Sequence, residues 1–227
     1  MAELVAVFDL EGTLYYKGGA LIWREIVKSR FRRRGGIGKI ITHVLCQVLL
    51  AVLYRLRLIS THKAHLAGTK KMATLFKGFS EEGLDQLAER VSEKLVGRLR
   101  SDIHRILQEH KQQGHRLVLV SGTFQPILQA IGRRLGVHLI IGTMLEKKDG
   151  WYTGRLSSPV CFDVQKASML KEFVRETHLK VDFSRSYAYG DTMSDKPLLE
   201  IVGNPVAVYA DAKLTAHARE HRWKTIG

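Results

Sequence analysis

The sequence predicts an α/β protein with a doubly wound parallel sheet, and two observations carry that prediction. Short apolar runs typical of strands buried on both faces recur at 4–8, 116–120, 139–141, 186–189 and 206–209. Stretches with the length and periodicity of surface helices alternate with them, at 124–135, 164–177, 194–202 and 212–221. Strands that alternate with helices along a chain form a parallel sheet covered by those helices.

Two segments depart from this alternation. Near residue 150 a hairpin is predicted, because Asp149 and Gly150 supply the turn between two short extended arms. Between the first and second strands lies a long insert, and its apolar residues from 40 to 56 recur at the i, i+1, i+4 spacing of one broad helical face. A further helical stretch, with Ser80 as N-cap, is expected to run to about Gln113 and return to the sheet.

The composition is that of one large globular domain, or of a domain that carries an insertion. Of the 227 residues, 45% are hydrophobic and 26% charged. Cys46 and Cys161 are far apart and lack metal-ligand spacing, which argues against a disulfide framework or a zinc site and favours a reducing cytoplasm. The opening residues, MAELVAVFDLEG, have no basic stretch before the apolar run, so no secretory signal is predicted.

The net charge of +14 is concentrated in the insert. Between Tyr15 and Phe79 there are fourteen Lys and Arg residues and one acid, Glu25, whereas the remainder of the chain is almost balanced. A charge spread over the whole chain would suggest a polyanionic partner, but this distribution instead predicts a nearly neutral core and a basic insert.

Polar residues follow three of the predicted strands, at the point where each strand ends. Asp9 and Glu11 follow the first strand, Ser121 and Gly122 follow the second, and Asp191 follows the run "SYAY". The carboxyl ends of parallel strands share one edge of the sheet, where ligands bind. We therefore expect these side chains to gather there.

Their chemistry indicates phosphoryl transfer. With Asp195 four residues beyond Asp191, the site holds clustered carboxylates that need a cation, and an all-oxygen ligand set favours Mg²⁺. The Ser121 hydroxyl and the N–H of Gly122 are suited to holding phosphoryl oxygens. An aspartate can attack phosphorus to form an acyl phosphate, while a second carboxylic acid protonates the leaving oxygen.

Four motifs, in order, resemble those of haloacid dehalogenase (HAD) superfamily phosphatases, subfamily IB, the group that contains phosphoserine phosphatase. "FDLEGTL" resembles the nucleophile motif DxDGT, "VLVSGT" the second motif, Lys166 in "DVQKASML" the conserved lysine, and "YGDTMSD" the GDxxxD metal motif. The resemblance implies a Rossmann-like catalytic core at 1–14 and 100–227. It also implies a helical cap at 15–99, of which 15–79 is basic and the last helix returns to the core.

Position by position, the resemblance implies a role for each site residue. Asp9 is the expected nucleophile, and Lys166 the ammonium that bridges the nucleophile and the phosphoryl group. Ser121 and Gly122 are expected to bind phosphate. The Mg²⁺ ligands implied are Asp9, Asp191, Asp195 and the backbone carbonyl of Glu11.

Glu11 departs from the family pattern, which has Asp at this position and uses it as the acid/base. The extra methylene moves the carboxyl by about 1 Å or more, a displacement that can cost roughly 10²-fold in rate. Glutamic acid has nearly the pKa of aspartic acid, so proton donation is retained and only the geometry changes.

The expected function is Mg²⁺-dependent hydrolysis of a small phosphomonoester through an aspartyl-phosphate. Two alternatives stay open: phosphoserine phosphatase proper, and a turnover-impaired, membrane-associated phosphate-binding relative. The residues with which phosphoserine phosphatases hold the amino acid are not recognisable in "LYYKGGALIWREIV", which argues against phosphoserine. A lysophospholipid or another small organic phosphate is the expected substrate.

The amphipathic stretch at 40–56 has two interpretations. In the first it packs inside a cap bundle. In the second its apolar face, flanked by "RFRRR" and "RLR", meets an anionic membrane surface and admits a headgroup such as that of a lysophosphatidate. A membrane span is not predicted, since only about fourteen residues run without a charge and spanning needs about twenty. Nucleic acid is not an expected partner, because no nucleic-acid module is recognisable.

Overall fold

The computed structural model describes residues 2–16, 19–31 and 36–227. Six parallel strands form one sheet in the order β3-β2-β1-β6-β7-β8, and β4 and β5 form a separate antiparallel pair. The strands are β1 Val5–Phe8, β2 Arg116–Phe124, β3 Leu139–Thr143, β4 Leu145–Lys148, β5 Trp151–Leu156, β6 Tyr187–Gly190, β7 Asn204–Val208 and β8 Lys224–Ile226. The helices are α1 Gly19–Phe31, α2 Gly36–Arg55, α3 Thr61–Ala73, α4 Glu81–Val96, α5 Ser101–Gln112, α6 Gln125–Leu135, α7 Val164–Glu176, α8 Lys196–Leu199 and α9 Ala212–Glu220. The predicted doubly wound fold is confirmed.

β1 lies in the middle of the sheet and is buried along its whole length because helices cover both faces. Ala6 and Phe8 point into a core formed mainly with α4, α5 and α6. Val5 and Val7 point into a second core formed mainly with α7, α8 and α9. This alternation explains why the strand reads as an unbroken apolar run in the sequence.

The register of the central strands brings the predicted site residues to one edge. Phe8 lies opposite Leu119 of β2 and Tyr189 of β6, so the residues that follow these three are neighbours. The chain order changes direction at β1, which makes this edge the topological switch point where ligands bind in such sheets.

Several elements differ from the prediction. The long return helix is broken into α4 and α5 at Gly97, which caps α4, and the chain then crosses back to the core, where the N–H of Arg100 donates to the carbonyl of Leu14 at 2.8 Å. The helix expected at 194–202 is reduced to a 3₁₀ turn and the four residues of α8. β8, a short edge strand, was not predicted. The hairpin at Asp149 and Gly150 is confirmed, and both residues have positive φ.

Helix α2 presents its apolar face to solvent, so the interpretation that this face packs inside a cap bundle is wrong. Its opposite side packs on α1 and α3, where His43 is fully buried. The large exposed aliphatic residues of α2 are Ile37, Ile41, Val44, Leu45, Val48, Leu49 and Val52. The face formed by these seven residues is called the apolar face of α2 below.

Within the part of the chain that the structure describes, one helical stretch is long and apolar enough to cross a membrane. It is Ile37–Arg55, with 19 residues and a mean hydropathy of 1.8. This stretch includes Lys39 and Arg55, so it reaches the length and mean hydropathy of a span although its charge-free run is shorter. The basic residues Lys17, Arg32, Arg33 and Arg34, on which part of the charge argument rests, lie outside the described residues.

Candidate active site

Asp9 and Lys166 form a buried ion pair at the carboxyl end of β1. Asp9 directly follows the strand, and its N–H donates to the carbonyl of Tyr189 at 3.0 Å. Lys166 lies in the first turn of α7, and its Nζ donates to Asp9 Oδ1 at 2.6 Å and to Asp195 Oδ1 at 2.5 Å. All three side chains are almost completely buried, so one ammonium joins two carboxylates that lie far apart in the sequence.

The pKa values of these groups follow from burial and from one another. Burial, opposed by Lys166 and reinforced by Asp195, raises the pKa of Asp9 to about 7. Burial disfavours the Lys166 ammonium, but the charges of Asp195 and Asp9 outweigh it and raise its pKa, so it stays protonated. Burial also disfavours the Asp195 carboxylate, but Lys166 outweighs it and lowers the pKa of that group.

Asp195 also fixes the loop after β6. Its Oδ2 accepts from the backbone N–H of Asp191 at 3.1 Å and from that of Thr192 at 3.0 Å. The Thr192 hydroxyl donates to the same oxygen, and Thr192 and Asp195 together form a capping box on the 3₁₀ turn. Asp195 therefore pairs with Lys166 and also holds the backbone of the loop that contains Asp191.

Three carboxylates lie close enough to share one cation. Oxygens of Asp9, Asp191 and Asp195 all lie within 4.8 Å of one another. Burial, with added repulsion from Asp9 and Asp195, raises the pKa of Asp191 to about 8. A cation would relieve that repulsion, and three carboxylate oxygens without nitrogen or sulfur suit a hard ion such as Mg²⁺.

Two glycines make this close approach feasible, and the sequence assigned neither a role. Gly12 has φ of +88°, and a Cβ on it would lie 1.9 Å from Asp191 Oδ2. A Cβ on Gly190 would lie 2.6 Å from the Cβ of Asp195. Any side chain at either position would displace a carboxylate of the cluster.

Glu11 lies beside this cluster without joining it through its carboxylate. Among the described residues, the acids at this edge whose oxygens lie close enough to share a cation are Asp9, Asp191 and Asp195. Glu11 Oε1 instead accepts from the Thr123 hydroxyl at 3.4 Å. Burial raises the pKa of Glu11, which favours the protonated form. Its backbone carbonyl is the group implied as a metal ligand.

Ser121 and Gly122 lie in an irregular end of β2, where pairing with β3 shifts register. The strand continues to Phe124, so these residues belong to β2 and not to a loop before α6. Ser121 is buried, and its Oγ accepts from the N–H of Thr123 at 3.2 Å. The carbonyl of Gly122 accepts from the Thr143 hydroxyl at 2.9 Å, which anchors this segment to β3.

The contacts that α3 and Thr123 make at this edge were not predicted from the sequence. His62 and His65 of α3 reach the core beside Gly122 and α7, and isolated histidines on a helix give no signal of this in a single sequence. Tyr15 is fully buried near Asp9 and Glu11, whose charges add to burial in raising its pKa.

The chain combines a doubly wound α/β fold with a buried carboxylate–lysine site at the carboxyl end of β1. Residues 6–200 match the model of the haloacid dehalogenase-like hydrolase family. The chain belongs to that family. Relatives named as phosphatases match about two thirds or more of this chain.

Among similar proteins is a putative hydrolase of Mycobacterium leprae, 29% identical over 96% of this chain and 71% of that protein. Phosphoserine phosphatase SerB1 of Mycobacterium tuberculosis is 31% identical over 70% of this chain, and the match spans 51% of that protein. A histidinol-phosphatase of Neisseria meningitidis is 29% identical over 68% of this chain and 71% of that protein.

Solved structures share the fold. A protein of unknown function from Bordetella pertussis Tohama I superimposes with a TM-score of 0.83 at 25% identity, over 100% of this chain and 99% of that one. A phospho-aspartyl intermediate analogue of phosphoserine phosphatase superimposes with a TM-score of 0.61 at 17% identity, over 100% and 93% of the two chains.

Proposed function

We propose that the protein is a Mg²⁺-dependent phosphomonoester hydrolase that works through an aspartyl-phosphate on Asp9. The observation that carries the proposal is the buried contact between Asp9 and Lys166 at the tip of β1. A carboxylate oxygen of Asp9 attacks phosphorus, the bond to the leaving oxygen breaks, and water then hydrolyses the acyl phosphate. The Lys166 ammonium, which stays charged, stabilises the negative charge that gathers on the phosphoryl oxygens.

Glu11 is the proposed acid and base. The raised pKa of its buried carboxyl keeps a proton available for the leaving oxygen. The carboxylate that results can take a proton from the attacking water in the second step. The Thr123 hydroxyl donates to Glu11 Oε1 at 3.4 Å and so helps to orient this side chain, which is one methylene longer than aspartate.

Ser121, Gly122 and Lys166 are the proposed phosphate ligands, and Asp9, Asp191, Asp195 and the Glu11 carbonyl the proposed Mg²⁺ ligands. When bound, the cation supplies positive charge beside the transferring phosphoryl group. The raised pKa of Asp191 supports this assignment, since the carboxylates repel one another without a cation.

Residues 15–99 form the proposed cap, and 1–14 with 100–227 the proposed catalytic core. The substrate proposed is a lysophospholipid or another small organic phosphate, in a cytoplasmic protein that contacts anionic membranes peripherally. The apolar face of α2 favours this membrane contact, because its residues are exposed beside Lys39, Arg55 and Arg57.

A phosphomonoester screen with and without Mg²⁺ tests the catalytic proposal, with amino-acid, sugar and lysolipid phosphates as substrates. Asp9→Asn is expected to abolish release of phosphate from every substrate that the wild type hydrolyses. Asp149→Asn, in the exposed hairpin turn, is the matched control and should keep full activity. Substantial turnover by Asp9→Asn would show that another group is the nucleophile.

A further inference from the structure

Helix α3 of the insert touches the end of β2, where two of the proposed phosphate ligands, Ser121 and Gly122, lie. His65 Nε2 lies 3.5 Å from the position that a Cβ would take on Gly122. The His65 ring stacks on Phe162, with ring centroids 3.9 Å apart and an angle of 17° between the planes. His65 therefore packs against Phe162 and Gly122 and keeps part of its surface exposed to solvent.

A second contact from α3 reaches the start of α7. His62 Nδ1 lies 3.1 Å from Asp163 Oδ2. Asp163 has φ of +55° and ψ of −131°, a conformation that a non-glycine residue adopts only where its surroundings hold it. Its carbonyl accepts from the N–H of Lys166 at 3.0 Å. Through these two histidines α3 contacts both segments that carry the proposed phosphate ligands.

A mainly apolar groove runs between α2 and α3 and includes His65 in its wall. Its volume is about 390 Å³. The residues that line it include Gln47, Leu50, Ala51, Tyr54, His65 and Met72. Since His65 also adjoins Gly122, the groove and the phosphate-binding segment meet at this side chain.

The geometry points to the groove between α2 and α3 as the binding site for an apolar chain on the alcohol part of the substrate, with His65 in contact with the ester region. This inference rests on the proposed phosphatase activity and specifies its substrate class. The phosphate end would be held by Lys166 and the end of β2, and the chain would leave past His65 into the groove.

The charge of the insert favours this class over an amino-acid phosphate. The sequence has no Asp or Glu between Glu25 and Glu81, so this stretch offers no carboxylate for a substrate ammonium group. Burial, with the neighbouring Lys166 charge, lowers the pKa of His65, which favours the neutral ring that an apolar neighbour requires. A neutral imidazole can still donate one hydrogen bond to an ester oxygen.

The test compares acetyl phosphate, phosphoserine and a series of monoalkyl phosphates from methyl to octyl, below their micellar concentrations. The value of kcat/KM is expected to rise with chain length, by up to about fourfold per buried methylene. Ala51→Trp, which fills the groove, should flatten this rise and leave acetyl phosphate hydrolysis unchanged. Ala216→Trp, at an exposed position on α9, is the matched control and should keep the rise.

His65 variants give an independent readout. His65→Ala is expected to raise KM for octyl phosphate several-fold with a smaller change in kcat, and His65→Gln, which keeps a donor, should recover part of the loss. Asp9-dependent hydrolysis of acetyl phosphate with a flat chain-length profile, a preference for phosphoserine, or no effect of Ala51→Trp on the profile would overturn the inference and leave the phosphatase proposal standing. Absence of turnover with every ester would overturn both.

Discussion

Lys166 Nζ lies between Asp9 Oδ1, at 2.6 Å, and Asp195 Oδ1, at 2.5 Å, inside a site closed to solvent. One positive charge therefore lies between two carboxylates, one directly after β1 and one in the 3₁₀ turn after β6. These contacts connect the end of β1, the start of α7 and the loop after β6. They therefore stabilise the packing of these three segments at the sheet edge.

Replacement of Lys166 by Met should remove this balance while keeping the volume of the side chain. We expect kcat to fall at least 10²-fold and the free energy of unfolding to fall by about 3–5 kcal/mol, because buried carboxylates lose their partner. Urea unfolding and steady-state kinetics measure the two effects. Lys196→Met, which breaks a partly exposed pair with Glu200, is the control and should cost less than about 1 kcal/mol. A Lys166→Met enzyme with normal kcat would rule out the assigned role.

Glu11→Gln should suppress turnover in a way that depends on the leaving group. Alkyl phosphates need a proton on the departing oxygen and should lose about 10²- to 10⁴-fold in the first step. p-Nitrophenyl phosphate, whose leaving group is stable as an anion, should lose much less. Rapid-quench measurement of alcohol or p-nitrophenolate release separates this step from hydrolysis of the acyl phosphate. Equal losses for both kinds of ester would contradict the acid role.

Gly12→Ala should damage both the site and the fold. The φ of +88° strains any residue with a Cβ, and that Cβ would lie on the Asp191 carboxylate. We expect a loss of about 1–3 kcal/mol in unfolding free energy and a large loss of activity. Gly38→Ala, in α2 with open space around the new Cβ, is the matched control and should be neutral or slightly stabilising. Wild-type activity in Gly12→Ala would show that Asp191 can move without consequence.

His110 should make stability depend on pH below neutrality. It is buried between His115, with the two Nδ1 atoms 2.7 Å apart, and Tyr189, whose hydroxyl lies 2.7 Å from Nε2. Burial, with the charges of His115 and Lys224, lowers its pKa to about 4. The unfolded chain takes up this proton near pH 6.5, so the contribution is complete above about pH 6.5 and is lost as the pH falls towards about 4.

Urea unfolding of wild type and His110→Gln between pH 4 and 8 measures this contribution. The wild type should lose up to about 3 kcal/mol more than the variant across the window. His138→Gln, at an exposed position, should behave as the wild type does. Parallel pH profiles for wild type and His110→Gln would show that His110 titrates normally in the folded protein.

The apolar face of α2 should bind anionic vesicles. Each cation near such a surface contributes about 1 kcal/mol, so cosedimentation should be strong at low salt and weaken as ionic strength rises. Leu45→Glu with Leu49→Glu should abolish binding, and Arg55→Ser with Arg57→Ser should weaken it. Met144→Glu, which changes an exposed apolar residue between β3 and β4, is the control and should leave binding unchanged. Equal binding to zwitterionic and anionic vesicles would contradict the electrostatic part of the proposal.

The sequence by itself determined the fold class and the set of polar residues at the sheet edge. Both follow from local pattern: β1 is apolar at every position because two layers of helices cover it, and in a parallel sheet residues after each strand must share one edge. Asp9, Ser121 and Asp191 could therefore be assigned to the same edge from the sequence alone. Their catalytic roles came from the motif resemblance and stay predictions.

Only the tertiary structure decided which side of α2 is packed and how the insert meets the core. The periodicity of α2 identifies an apolar face, but burial of that face depends on partners elsewhere in the chain; here α1 and α3 pack around His43 and leave the apolar face exposed. The break between α4 and α5, and the contact of His65 with Gly122, likewise depend on where distant segments cross. Local pattern fixes which residues can be buried, whereas the packing of remote elements fixes which of them are.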